Sequence, residues 1–207
     1  MIDRSHTRGA LGPGDRAPDF DLPAADSEGT VALAEYRRRG PVLLSLLRGL
    51  YCPFCRRNLS LLKPSCEELH GAGIALVGIV IASPERARQY FRHFPPCFPV
   101  AAAPDRAIHR AYGLPEFIRT PEFLEHVEHK AVDALRELGL KAPAGEADSV
   151  FQASDGAQLS AEDHAEWQRP VQTIAHFLIG RDGVIRWAQV ESLALPLPKV
   201  QELVALV

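Results

Sequence analysis

Cys52-Pro53-Phe54-Cys55 has the residue types and spacing of a dithiol pair able to take up and release two electrons. An apolar run, Val42 to Leu47, precedes it and ends in Arg48-Gly49. Arg56-Arg57-Asn58-Leu59 follows and opens a helical pattern. The stretch therefore reads as a buried strand, a tight turn at Gly49, and a helix with C-x-x-C in its first turn. Pro53 suits that turn because proline lacks the N–H that would go unpaired there. A cysteine at a helix N-terminus faces free N–H groups and the positive end of the helix dipole. Both favour the thiolate, which is the reactive form.

Three readings of the pair compete. Zinc requires a second ligand pair at short spacing, whereas Cys66 and Cys97 stand apart and no His pair has zinc-finger spacing, so no metal is expected. Two core cysteines form the second reading, since free Cys is often buried. The strand–CxxC–helix context favours the third, redox chemistry. No organic cofactor is needed for it.

The elements that must position the pair can be read along the chain. At 207 residues it fits one domain with an insertion, and the net charge of −3 gives no nucleic-acid signature. The run Arg37-Arg38-Arg39 reads as a solvated helix end. No apolar segment is long enough to span a membrane. The N-terminus has no apolar signal region, so a reducing cytoplasm is the expected compartment. Residues 1–11 read as an arm and 12–207 as the domain. Phe20 and Leu22 alternate with acids, and Gly29 to Ala32 can pair with them as a hairpin. Leu33 to Arg39 is a short helix stopped by Gly40-Pro41. Val42–Leu47 and Ile74–Ile81 have the continuous apolar character of central strands. The CxxC helix runs to about His70, with Pro64 predicted to kink it. Ser83-Pro84-Glu85 opens a helix to about Phe94. A brief strand follows at Phe98–Ala101, then a short helix at Asp105–Tyr112. Thr120 to Leu138 reads as a helix and 141–165 as an exposed loop. Thr173–Ile179 and Val184–Val190 are strands joined by Arg181-Asp182-Gly183, and Pro198–Val207 is a terminal helix. The fold class is α/β, a central mixed sheet flanked by helices.

GDRAPDFDLP, the strand leading to YCPFCRRNL, the next apolar strand and HFLIGRDGVIRWAQVES, in that order, resemble the peroxiredoxin-like branch of the thioredoxin-fold superfamily, the AhpC/TSA group. The resemblance covers roughly 12–113 and 170–207 and leaves about 114–169 as a helical and loop insertion. It implies a thioredoxin-like fold, Cys52 as the attacking cysteine and Cys55 as the second position of a thioredoxin-type pair. It is also the sole basis for expecting a homodimer. The chain departs from the group's usual site. Where a Pro and then a Thr or Ser precede the attacking cysteine by seven and three residues, it has Ser45 and Gly49. The later arginine has no match in Gln172-Thr173-Ile174-Ala175-His176, and Ile174 stands where a thioredoxin-like site has its cis-proline.

These departures matter because thiolate population alone does little. Lowering a thiol pKa from about 8.5 to about 6 raises the thiolate fraction roughly thirty-fold at neutral pH. Lost nucleophilicity returns about ten- to twenty-fold of that. Fast peroxide reduction needs donors for the leaving oxygen. Arg48, Arg56 and N–H groups near Gly49 are the candidates. Each has a plainer reading: Arg48 as a strand end in solvent, Arg56 as a solvated helix residue, and Tyr51 as packing rather than a substrate contact. His176, inside an apolar strand, reads as a core histidine. Cys66 reads as core, Cys97 as a structural or idle thiol, and Trp167 and Trp187 as packing. The expected function is reduction of peroxides at Cys52 with Cys55 forming the disulfide and a cellular dithiol as reductant. Thiol–disulfide exchange on a protein disulfide and a non-enzymatic redox sensor are the alternatives.

Overall fold

The computed structural model describes residues 9–118, 120–122, 159–191 and 198–207. A five-stranded sheet organises them, in the order β5-β4-β3-β8-β9. Its strands are β3 (Val42–Leu46), β4 (Ala75–Val80), β5 (Val100–Ala102), β8 (Ile174–Ile179) and β9 (Ile185–Glu191). β3, β4 and β5 run parallel, while β8 is antiparallel to both β3 and β9. The mixed sheet and flanking helices are those of a thioredoxin-like α/β fold.

Alternation along the strands explains why the apolar runs are continuous. Leu43, Leu47, Leu76, Val80, Ile174 and Leu178 face one core. Val42, Leu44, Leu46, Val77, Ile79, Phe177 and Ile179 face the other. Both faces are covered, so neither set can be polar. The first core is closed by α2 (Pro53–Gly71), α3 (Pro84–Phe91) and α6 (Val200–Val204), through Leu59, Leu62, Leu69, Ala87, Phe91 and Leu203. The second is closed by the hairpin β1 (Asp21–Pro23) and β2 (Thr30–Ala32), α1 (Leu33–Arg39) and α4 (Ala107–Ala111). α2 is the crossover between parallel β3 and β4, and α3 that between β4 and β5.

α1 has the bounds expected for it, and β8 joins β9 through the turn at Arg181-Asp182-Gly183, where Gly183 has φ +80°. α2 runs unbroken through Pro64. β5 begins two residues later than expected. The helix expected at 120–138 lies almost wholly outside the described residues.

Two expectations are corrected. The end of the expected loop, from Ala161, is helix α5 (Ala161–Trp167), which is followed by β7 (Val171–Gln172), paired with β6 (Glu116–Phe117). α5 forms because Ser160 accepts from the Asp163 N–H while the Asp163 carboxylate accepts from the Ser160 N–H, a reciprocal cap. Cys66 and Cys97, expected as a core residue and an idle thiol, form a disulfide with Cα atoms 6.7 Å apart. α2 turns Cys66 toward the α3–β5 connection that carries Cys97.

Candidate active site

β3 is central, and the chain leaves its C-terminal end directly into the CxxC turn, at the carboxyl edge of the parallel strands where open α/β sheets carry their sites. Leu47 N–H donates to Ile79 O at 2.8 Å, so the exit stays tied to β4. The Leu47 carbonyl accepts from His109 Nε2–H at 2.9 Å. Burial first, then the charges of Arg106 and Arg110, outweigh that bond and lower the His109 pKa to about 4. The ring is therefore neutral at pH 7. No local sequence pattern announces His109 or its contact with the Leu47 carbonyl.

Gly49 is required by what lies over it. A Cβ there would sit 2.8 Å from Tyr51 Cδ1 and 2.9 Å from the Ile81 carbonyl oxygen. The Tyr51 ring thus closes on the Gly49 backbone, and Cys52 N–H completes the turn to Gly49 O at 3.1 Å. Cys52 is the N-cap residue of α2 and Pro53 its first helical residue. The Cys52 carbonyl accepts from the N–H groups of Cys55 and Arg56, each at 3.1 Å. The Arg56 side chain is buried, which removes the solvated-helix reading.

Arg48 joins the two sulfurs. Its Nη1 lies 3.7 Å from Cys52 Sγ, and its backbone N–H donates to Cys55 Sγ at 3.3 Å. Its Nε–H donates to the Gln172 carbonyl at 2.5 Å. Arg48 is buried, so it does not end the strand in solvent. Burial alone would raise the Cys52 pKa, but hydrogen bonding from Cys55 and the charge of Arg48 bring it down to about 5. The Cys55 pKa goes the other way, well above its ordinary value, because the thiol is buried and donates to a neighbouring thiolate. The pair is thus asymmetric: thiolate at Cys52, thiol at Cys55.

Gln172 lies in β7, immediately after the insertion, and its placement is elaborate. Its side-chain amide donates to the carbonyls of Leu114 at 3.3 Å and Pro115 at 3.2 Å. Thr173 Oγ1 donates to Pro115 O at 2.7 Å. Upstream, buried Arg106 adopts a left-handed conformation, φ 56°, rare for a side chain of this size. It donates to the Pro170 carbonyl at 3.0 Å and pairs with Glu116 at 3.1 Å and with Glu166 of α5.

α5 covers the pair. Trp167 packs edge-on against Tyr51, with ring centroids 5.7 Å apart. Three carboxylates hold the helix down. Glu162 accepts from the Ser83 N–H and hydroxyl, both at 2.6 Å, Asp163 pairs with buried Arg86 at 2.6 Å, and Glu166 meets Arg106. Cys52 is 3% exposed and Cys55 1%. The Tyr51 hydroxyl is buried without a hydrogen-bond partner among the described residues. His176 is buried with Nδ1 2.9 Å from Ser45 Oγ, on paired positions of β8 and β3. Among the described residues no cluster of His, Cys, Asp and Glu could hold a metal ion.

The AhpC/TSA family model matches residues 13–188. The chain belongs to the AhpC/TSA family. It is 33% identical over 103 residues to "Putative peroxiredoxin Rv2521" of Mycobacterium tuberculosis, a match covering 50% of this chain and 64% of that protein. Its fold is similar to that of "Peroxidoxin BcpB" from Mycobacterium tuberculosis, at TM-score 0.59 and 13% identity over 94% of this chain and 95% of the other. It is also similar to that of a "putative Thiol:disulfide interchange protein DsbE" from Chlorobium tepidum, at TM-score 0.51 and 18% identity over 88% of this chain and 87% of the other. The two structural likenesses show a shared fold, and the match to the curated relative spans less than two thirds of that protein's length. No helix among the described residues is long and apolar enough to cross a membrane.

Proposed function

We propose that this AhpC/TSA protein is a peroxidase acting through Cys52. The observation that supports it best is a Cys52 sulfur 3.7 Å from the Arg48 guanidinium yet 3% exposed. A small hydroperoxide can reach such a sulfur, whereas the disulfide of a folded protein needs far more surface. In the first step the Cys52 thiolate attacks one peroxide oxygen, the O–O bond breaks, and Cys52 becomes a sulfenic acid. The leaving alkoxide or hydroxide takes a proton and departs as alcohol or water. Arg48 supplies positive charge where that oxyanion develops, and Tyr51 offers a buried hydroxyl with no competing partner among the described residues. Together they stand in for the Thr and Arg that this chain lacks.

In the second step Cys55 sulfur attacks the sulfenic sulfur, water leaves, and the Cys52–Cys55 disulfide forms. A cellular dithiol then returns two electrons and two protons. No cofactor takes part. Arg56, Gly49 and Pro53 act through the shape of the turn. Steady-state turnover with a hydroperoxide, set against turnover with a protein disulfide, tests the reading. Hydroperoxide turnover that disappears in Cys52→Ser is expected. Turnover with the protein disulfide alone would transfer the chain to disulfide exchange, and turnover with neither to a sensor.

A further inference from the structure

The second cysteine pair occupies a setting that the reaction at Cys52 does not use. Cys66 lies on α2 eleven residues after Cys55, about 16 Å along the helix axis, so the two pairs cannot exchange directly. The Cys66–Cys97 disulfide borders a groove of about 760 Å³ between the α1–β3 turn, the C-terminal half of α2 and the chain entering β5. Gly40 makes this shape possible, because a Cβ there would collide with the Gly73 carbonyl across the groove floor. Arg39 and Lys63 line the groove, with Glu67 the only carboxylate on it among the described residues.

We propose that Cys66–Cys97 is a second redox centre, which exchanges with a low-molecular-weight thiol carrying carboxylate groups. The two sulfurs are not equivalent. Cys97 is exposed, while Cys66 is half-buried against the first core. An incoming thiolate therefore attacks Cys97 Sγ. The Cys66–Cys97 bond breaks, its electron pair goes to Cys66 Sγ, and a mixed disulfide forms on Cys97. Lys63 lies three residues before Cys66 on the same helix face, where its charge favours the departing thiolate. A second thiolate attacks the incoming thiol's sulfur in the mixed disulfide and releases Cys97. Two small thiols become one small disulfide, and the protein disulfide becomes two thiols, protonated from water. Arg39 and Lys63 attract the carboxylates of the attacking molecule. Reduction unties the C-terminal half of α2 from the α3–β5 connection, on the helix whose first turn carries Cys52.

The test uses the full chain with Cys52→Ser and Cys55→Ser, so that its outcome is independent of the reaction at Cys52. The folded protein, with Cys66–Cys97 oxidised, is exposed to glutathione or to cysteamine, quenched in acid and mapped by mass spectrometry. Glutathione should appear on Cys97. Adding Arg39→Glu and Lys63→Glu should lower the glutathione-to-cysteamine rate ratio by about three- to ten-fold at low salt. Should that charge-reversed variant fail to fold, salt titration of the parent protein serves instead: added salt should slow glutathione and not cysteamine. A glutathione adduct on Cys66, a disulfide that yields only after denaturation, or a rate ratio indifferent to charge and salt would each overturn the proposal.

Discussion

Arg48 touches both cysteines, its guanidinium at Cys52 and its backbone N–H at Cys55. The hydrogen bond from the Cys55 thiol and the guanidinium beside Cys52 both favour the Cys52 thiolate, whereas the Arg48 backbone N–H on Cys55 works against the asymmetry and is outweighed by burial and the neighbouring thiolate. Arg48→Met should raise the Cys52 pKa from about 5 toward the ordinary thiol range. Thiolate ultraviolet absorbance followed against pH checks this: Cys52 should ionise near pH 5 in the wild type, with Cys55 silent through neutral pH. The sign for stability follows. A depressed Cys52 pKa contributes stability that is complete above the free-thiol value of about 8.5 and is lost as pH falls toward the folded value. The raised Cys55 pKa has the opposite sign, its contribution being present at low pH and lost as pH rises through the folded value. Tyr51→Phe separates a catalytic hydroxyl from packing. The ring stays over Gly49 and against Trp167, and stability should hold or rise because a buried hydroxyl with no partner among the described residues is removed. The rate with hydroperoxide should fall by about one-hundred-fold, the low end for one oxyanion donor. An unchanged rate would return Tyr51 to packing.

At the scale of elements, what the sequence displayed depended on how each element is held. β3, β4 and β8 were legible because burial on both faces forces a continuous apolar run. α2 was legible at its start from Cys52-Pro53. α5 was hidden because polar contacts, not an apolar stripe, hold it: Glu162, Asp163 and Glu166 all point at partners distant in sequence. Its one local sign was Ser160 three residues before Asp163, inside a run that otherwise reads as loop. The arginine that the usual family pattern places near β8 is absent, and Arg48 instead reaches the Gln172 carbonyl, an atom no side-chain pattern can flag. Asp163→Ala tests the latch. It removes the carboxylate half of the α5 cap and leaves Arg86, buried, without that carboxylate, and should cost about 3–5 kcal/mol in chemical denaturation. Where the chain stays folded, hydrogen exchange in α5 should quicken and Cys52 should react faster with a bulky maleimide. Unchanged maleimide reactivity would mean that α5 is not what shields the thiol.

At the scale of the whole molecule, one helix links two sulfur centres of different character. Its first turn holds a buried reduced pair, and its later turns hold a disulfide at the surface. The spacing of the cysteines could not reveal the second pairing, since Cys66 and Cys97 are 31 residues apart and meet only when α2, β4 and α3 have packed. Closing a loop of that length constrains the unfolded chain by about 3–4 kcal/mol in the chain-entropy account. The Cys66→Ser/Cys97→Ser variant should unfold at lower denaturant by about that amount while Cys52 keeps its low pKa. A shifted Cys52 titration would show that the staple also shapes the first turn of α2.

The peroxidase account is tested most directly by mass spectrometry after one equivalent of hydroperoxide, on the wild type and on Cys55→Ser. It predicts a Cys52–Cys55 disulfide in the wild type, with Cys66–Cys97 untouched, and a sulfenic acid on Cys52 in the variant. Oxygen added to Cys55 ahead of Cys52, or no oxidation of Cys52 by hydroperoxide while it forms a mixed disulfide with an oxidised protein, would contradict it.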